Sequence, residues 1–181
     1  MKESLWIFGY GSIIWKTGFD YDESRLAYLP DRARRFWQAS TDHRGTIASP
    51  GRVVTLIDEP GESCWGLAFK VPSASVELTL SNLDVREIGG YERESVTIYF
   101  PDKDPVRGLT YTAHPANPNY LGPASAVDIA SQIASSQGPS GSNNEYVFEL
   151  ALALDNLQVE DPHIQDIASL LKERTDTENA P

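Results

Sequence analysis

The sequence predicts a mixed α/β fold, a curved or barrel-like sheet with helices packed on it. Three observations point there. The first two-thirds of the chain breaks into short apolar or alternating runs divided by Gly, Pro, Asn and Asp, the pattern of strands and turns. One helical period interrupts it, at Val76, Leu80 and Leu83, and stops at Gly89-Gly90. The last third places apolar residues at helical spacing. At 181 residues the chain suits one domain, read as 1–175 with a polar, disordered tail at 176–181.

Each element has its own reason. Leu5–Phe8 is an apolar run short enough for a buried strand. Arg34–Ser40 is a second strand, followed by a turn-rich loop over Asp42–Gly51. Arg52–Ile57 and Cys64–Val71 read as a hairpin joined through Asp58-Glu59-Pro60-Gly61-Glu62, residues that punctuate strands. Val76 to Glu87 is the helix. Val96, Ile98 and Phe100 then alternate with Thr97 and Tyr99 along a strand over Tyr91–Phe100, and Leu109–Ala113 is another. Three prolines within His114–Pro123 exclude a helix there. Ser125–Ser135 is helical, and Gly138-Pro139-Ser140-Gly141 breaks it. Ser142 and Glu145 have capping-box spacing ahead of an apolar stripe at Tyr146, Leu150, Ala153, Leu154 and Leu157. Ile164, Ile167 and Leu171 mark a last helix.

Bulk chemistry narrows the function. The formal net charge is −11, which repels phosphate backbones and anionic lipid, so nucleic-acid and membrane-surface roles are disfavoured. Arg32, Arg34, Arg35 and Arg44 cluster in sequence, but local pairing is the simpler expectation for them. A single cysteine, Cys64, cannot form an intramolecular disulfide; it reads as a buried thiol in a reducing, cytoplasmic protein. Histidines at 43, 114 and 163 have no metal-ligand spacing, so no metal site is expected. His43, beside Asp42 in a polar turn, reads as a loop histidine.

Two segments stand out chemically. In Trp6-Ile7-Phe8-Gly9-Tyr10-Gly11-Ser12-Ile13-Ile14-Trp15 an apolar run breaks into two glycines around one aromatic. Such a bend lets a ligand approach bare amide N–H groups, and Ser12 adds a hydroxyl. It fits neither a dinucleotide fingerprint nor a P-loop, since Ile14 stands where a third glycine would be and no Gly-Lys-Ser/Thr follows. It is either a cradle for the polar head of a small molecule or a tight turn between core strands. Glu87 closes the first helix, just before Gly89-Gly90. A helix C-terminus and apolar neighbours both favour its neutral form, a property useful in a proton shuttle. Pairing with a nearby arginine is the alternative. Tyr10 and Tyr91, each flanked by glycine, read first as packing residues.

Seven blocks in order carry a family resemblance. They are Gly9-Tyr10-Gly11-Ser12-Ile13-Ile14-Trp15, Arg34-Arg35-Phe36-Trp37-Gln38, Ser40-Thr41-Asp42-His43-Arg44-Gly45, Pro50-Gly51-Arg52-Val53-Val54-Thr55-Leu56, Arg86-Glu87-x-Gly89-Gly90-Tyr91, Asn117-Pro118-x-Tyr120-Leu121-Gly122-Pro123-Ala124 and Gly138-Pro139-Ser140-Gly141-x-Asn143-x-Glu145-Tyr146. Together they resemble the ChaC-type γ-glutamylcyclotransferases over roughly residues 5 to 157 of the chain. The family usually carries Leu where Ile13 stands, a conservative departure. The resemblance implies a small β-barrel with flanking helices, glutathione as the substrate and no cofactor; cyclisation of other γ-glutamyl amines or amino acids, or a non-catalytic γ-glutamyl-binding regulatory module, are the alternatives. It also implies that Gly9, Tyr10, Gly11, Ser12, Ile13 and Ile14 hold the γ-glutamyl head, with Glu87 as acid/base. Those segments are distant in sequence and must meet across the sheet.

Overall fold

The computed structural model describes residues 4–178. Contacts divide these residues into two units. One comprises the chain up to Arg34 together with Leu56–Pro118; the other comprises Arg35–Thr55 and the chain from Asn119 onward.

The first unit is built on a five-stranded sheet. Strand β1 (Leu5–Gly9) lies between β3 (Gly51–Val71), to which it is antiparallel, and β5 (Val106–Thr112), to which it is parallel. β2 (Glu23–Ser40) and β4 (Glu92–Ile98) complete the order β2-β3-β1-β5-β4. A central strand is covered on both faces, which is why Trp6, Ile7 and Phe8 form an unbroken apolar run. The sheet curls: beyond β4, Tyr99 exchanges both backbone hydrogen bonds with Tyr28 of β2. That isolated bridge joins the two edges without a continuous ladder, so the barrel is curved but not closed. Helix α1 (Val76–Arg86) covers one face, where Leu83 packs into a core of Ile7, Ile13, Phe69, Val71 and Tyr111.

The expected hairpin over 52–71 is instead one long strand. The turn-forming segment 58–62 stays extended because its neighbour has a matching irregularity. Asp31 of β2 takes φ 55° and Gly61 takes φ 87°, and the Asp31 carboxylate accepts the Gly61 amide at 2.8 Å. Arg32 pairs with Asp58 beside them at 3.1 Å. The glycine therefore makes a kink in a ribbon rather than a reversal. The strand expected at Arg34–Ser40 likewise begins earlier, at Glu23; Pro30 and Asp31, the latter at positive φ, lie inside it and read in sequence as a break.

The second unit contains the far ends of β2 and β3, three helices and a two-stranded hairpin. The helices are α2 (Ala126–Ala134), α3 (Asn143–Asn156) and α4 (Pro162–Glu178); β6 (Gln137–Gly138) and β7 (Gly141–Ser142) form the hairpin where a plain break is expected. Ser125 and Ser142 cap α2 and α3, accepting the amides of Asp128 and Glu145. Glu145 does not complete the reciprocal half of a capping box, because its carboxylate goes to Arg44 at 2.7 Å. Ile129, Ile133, Val147, Leu150, Ile164, Ile167 and Leu171 fill the helical core. The helix α4 runs through Glu178, so the expected tail at 176–181 is helical for its first three residues; 179–181 lie outside the described residues. Within α4 the Thr175 and Thr177 hydroxyls donate to carbonyls four residues back.

Candidate active site

The bend after β1 is a single 3-10 turn over Ser12–Ile14, capped by Gly11 at φ −129°, ψ −135°. Ile14 N–H is the first amide bonded within the turn, to the Gly11 carbonyl at 3.0 Å. Helical geometry leaves the Ser12 and Ile13 amides without an acceptor inside it. Gly9 must be glycine for close packing, since a Cβ there would meet Ile13 Cγ2 at 2.9 Å. Ile13 itself is buried in the α1-facing core, so any contact it makes with a ligand is through its backbone.

Tyr10 is a packing residue in its side chain, as its glycine-flanked position suggests. It is buried, and its hydroxyl donates to the Tyr111 carbonyl at 2.7 Å. Its own carbonyl accepts from the guanidinium of Arg34, which also donates to the Trp65 carbonyl. Arg34 is 1% exposed and is pinned to these two carbonyls. Arg32 pairs with Glu94 and Asp58, and Arg44 with Glu145 and Glu149. Burial is the largest single influence on the Glu94 carboxyl and would raise it, but the hydrogen bond and the charge of Arg32, with smaller contributions beside them, together hold that group below the usual range.

Glu87 occupies the C-cap of α1. Its amide donates to Leu83 O at 2.8 Å, and its carbonyl accepts from Tyr91 at 3.2 Å. The carboxylate is largely sheltered, with 16% side-chain exposure, and Arg86 Nε lies 3.5 Å from its Oε1. The same guanidinium reaches the bend. Arg86 Nη2 donates to Ser12 Oγ at 2.8 Å, and Nη1 donates to the carbonyls of Lys16 and Thr17. One planar cation thus has the Ser12 hydroxyl on one side and the Glu87 carboxylate on another. The two segments that the sequence singles out are neighbours.

The end of α1 is fixed from its other side as well. Tyr111 donates its hydroxyl to Asp84 at 2.8 Å, and Arg93 grips the same carboxylate through two nitrogens. The Arg93 hydrogen bond first, then that from Tyr111, holds the Asp84 carboxyl below its ordinary range; burial and Asp84 push the Tyr111 phenol up. Neither Arg86 nor this Asp84 cluster is picked out by spacing in the sequence. A cation in the last turn, adjacent to the one acid of interest, was the signal available for Arg86.

Elsewhere the remaining candidates are structural. Cys64 is buried. His43 Nδ1 lies 3.2 Å from Ser140 Oγ in an exposed loop. Among the described residues no cluster of His, Cys, Asp or Glu could hold a metal ion, and no helix is long and apolar enough to cross a membrane.

Comparison with known proteins agrees with this architecture. A family model described as ChaC-like protein matches residues 5–174. A Danio rerio protein named glutathione-specific gamma-glutamylcyclotransferase 1 is 47% identical over 177 residues, covering 94% of this chain and 90% of its own. An Arabidopsis thaliana protein named gamma-glutamylcyclotransferase 2-3 is 43% identical, with coverages of 93% and 89%. A crystal structure of a yeast γ-glutamyl cyclotransferase specific to glutathione superposes with TM-score 0.89 at 28% identity, covering 94% of this chain and 96% of the other.

Proposed function

The chain belongs to the ChaC-like protein family, and from that premise we propose that it is a glutathione-specific γ-glutamylcyclotransferase with Glu87 as its acid/base. The reading is supported by relatives of that name and above all by the shared guanidinium of Arg86, which sets the Ser12 bend beside the Glu87 carboxylate.

The substrate supplies its own nucleophile. The α-amine of the γ-glutamyl residue attacks the γ-carbonyl carbon, forming a C–N bond and a five-membered ring. The bond from that carbon to the cysteine nitrogen then breaks, giving 5-oxoproline and cysteinylglycine. An intramolecular attack needs neither an enzyme nucleophile nor a cofactor; it needs the amine and carbonyl held together. Glu87 takes a proton from the amine and returns one to the departing nitrogen, work typically worth about 10²–10⁴-fold in rate. The Gly9–Ile14 bend holds the γ-glutamyl head. The Ser12 and Ile13 amides and the Ser12 hydroxyl are its donors toward an anionic oxygen, either the α-carboxylate or the oxyanion that forms as the ring closes. The setting is the cytoplasm, a reading supported by the lone buried thiol of Cys64.

Incubating the purified chain with glutathione tests this directly. The expected products are 5-oxoproline and cysteinylglycine in equal amounts. γ-Glutamyl amines and amino acids run in parallel test selectivity, because they share the head but not the leaving dipeptide. Release of 5-oxoproline from those compounds and not from glutathione would replace the substrate while keeping the chemistry.

A further inference from the structure

We infer that Arg86 is a positioning residue that assembles the site, setting Ser12 as a hydrogen-bond donor toward the substrate while it orients Glu87. The inference rests on the cyclotransferase reading above and deepens it.

The argument starts from hydrogen-bonding capacity. A guanidinium is always charged and can only donate. Its Nη2–H points at Ser12 Oγ at 2.8 Å, so the serine oxygen is the acceptor in that contact. The hydroxyl proton of Ser12 must then be directed to a different partner. A serine hydroxyl whose oxygen is held by a cation is also a stronger donor, as polarisation along a chain of hydrogen bonds strengthens the next one. Ser12 lies on the bend whose first amides have no acceptor within the turn, so its proton suits a carboxylate or oxyanion bound there.

The other edges of the guanidinium fix where that donor sits. Nη1 donates to the carbonyls of Lys16 and Thr17, and Thr17 Oγ1 donates back to the Ile13 carbonyl at 3.2 Å. The strand-to-loop exit is thereby tied to the end of α1. Nε faces Glu87 Oε1 at 3.5 Å, an ion-pair distance that biases the carboxylate toward one orientation. A fork with three directed edges can hold three partners in one plane. An ammonium at the same place is a compact point charge and cannot.

The test is a set of kinetic constants for glutathione on Arg86→Gln, Arg86→Lys, Ser12→Ala and the double variant Ser12→Ala/Arg86→Gln. Ser12→Ala is expected to raise KM or lower kcat/KM about 10-fold, the loss of one hydrogen bond to a charged group. Arg86→Gln is expected to lose that and, in addition, to lower kcat about 10²-fold through misplacement of Glu87. The double variant is expected to match Arg86→Gln alone, because the serine has nothing further to lose once its cation is gone. Arg86→Lys is expected to recover kcat in part but not kcat/KM. Melting curves show which variants fold; where Arg86→Gln does not, the Arg86→Lys and Ser12→Ala pair with their double variant answers the same question. Effects that multiply in the double variant, or a wild-type Arg86→Gln, would overturn the assignment. Absence of any turnover by the unaltered chain would instead overturn the enzymatic reading on which it rests.

Discussion

Arg86 in the first unit and Arg52 in the second use the same chemistry with different outcomes. Arg52 Nη1 donates to the Phe36 carbonyl at 2.8 Å and Nε to Gln132 Oε1 at 2.6 Å. Its backbone N–H and C=O both pair with the Asn143 side chain, at 2.6 and 2.8 Å, as though the amide were a neighbouring strand. Arg52 is 7% exposed and Asn143 is fully buried. Burial lowers the Arg52 guanidinium below its usual range, without removing its charge. Arg86 also grips backbone carbonyls, but its side chain keeps 23% exposure and it also holds a hydroxyl and faces a carboxylate. Hydrogen bonds closed among buried groups make structure. Those that end on a hydroxyl and an acid that are sheltered but not fully buried leave something for a ligand.

That contrast predicts opposite phenotypes. Glu87→Gln should keep the melting temperature and still bind γ-glutamyl ligands, yet lose about 10²–10⁴-fold in kcat. Turnover within a few-fold of the parent would remove Glu87 from proton transfer. Asn143→Ala should do the reverse. It strands a buried N–H and C=O of Arg52, each costing about 1–3 kcal/mol, so a loss of about 3 kcal/mol and several degrees in Tm is expected. Activity per folded molecule should be nearly unchanged. A melting temperature equal to the parent's would show that water or a backbone shift replaces the asparagine.

The sequence was legible where local chemistry decides and opaque where partners do. The α1 period ended at Gly89-Gly90 because one apolar face and a C-terminal stop are local properties. The serine caps of α2 and α3 were readable for the same reason. The 58–62 segment misled because its Pro and Gly punctuate equally well in a turn or a kink, and only Asp31 on the adjacent strand decides between them. At the site, glycines around Tyr10 and an acid after a helix were visible as types. Arg86 was not, since the reach of a long side chain to Ser12 spans 74 residues of sequence. Nothing in composition distinguishes Arg52, Arg34 and Arg86; the acceptors that define their roles, whether carbonyl, side-chain amide or hydroxyl, are supplied by distant segments.

A pH series sharpens the comparison in the second unit. His163 Nε2 accepts the Phe36 amide at 3.0 Å, which requires the neutral ring at that nitrogen. Burial, aided by Arg35, lowers its pKa from 6.5 to about 4. In the unfolded chain the ring returns to about 6.5, so between these values the unfolded state binds the extra proton. Stability from this group is therefore complete above about pH 6.5 and falls as pH drops toward 4, by about 3 kcal/mol in all. Denaturant titrations at pH 7 and 4.5 should show the loss, and His163→Gln should flatten it. An unchanged slope in that variant would assign the acid sensitivity to other groups.

The smallest expected effect lies between the two kinds of arginine site. Tyr111 is buried but ends on Asp84, a half-exposed carboxylate one helical turn before Glu87. Tyr111→Phe removes one hydroxyl, shared between Asp84 at 2.8 Å and the Leu80 carbonyl at 3.4 Å, and leaves the ring packed against Ile7 and Leu83. The stability cost should be only about 1 kcal/mol, because Asp84 keeps Arg93 on both of its oxygens and is half exposed to water. If the end of α1 is merely scaffold, kcat should not move. If the orientation of Glu87 depends on both clamps, Arg86 on one side and Asp84 on the other, kcat should fall a few-fold while KM holds, since the Ser12 bend is untouched. The ratio of those two constants in one conservative variant separates a helix end that is simply stable from one that is aimed.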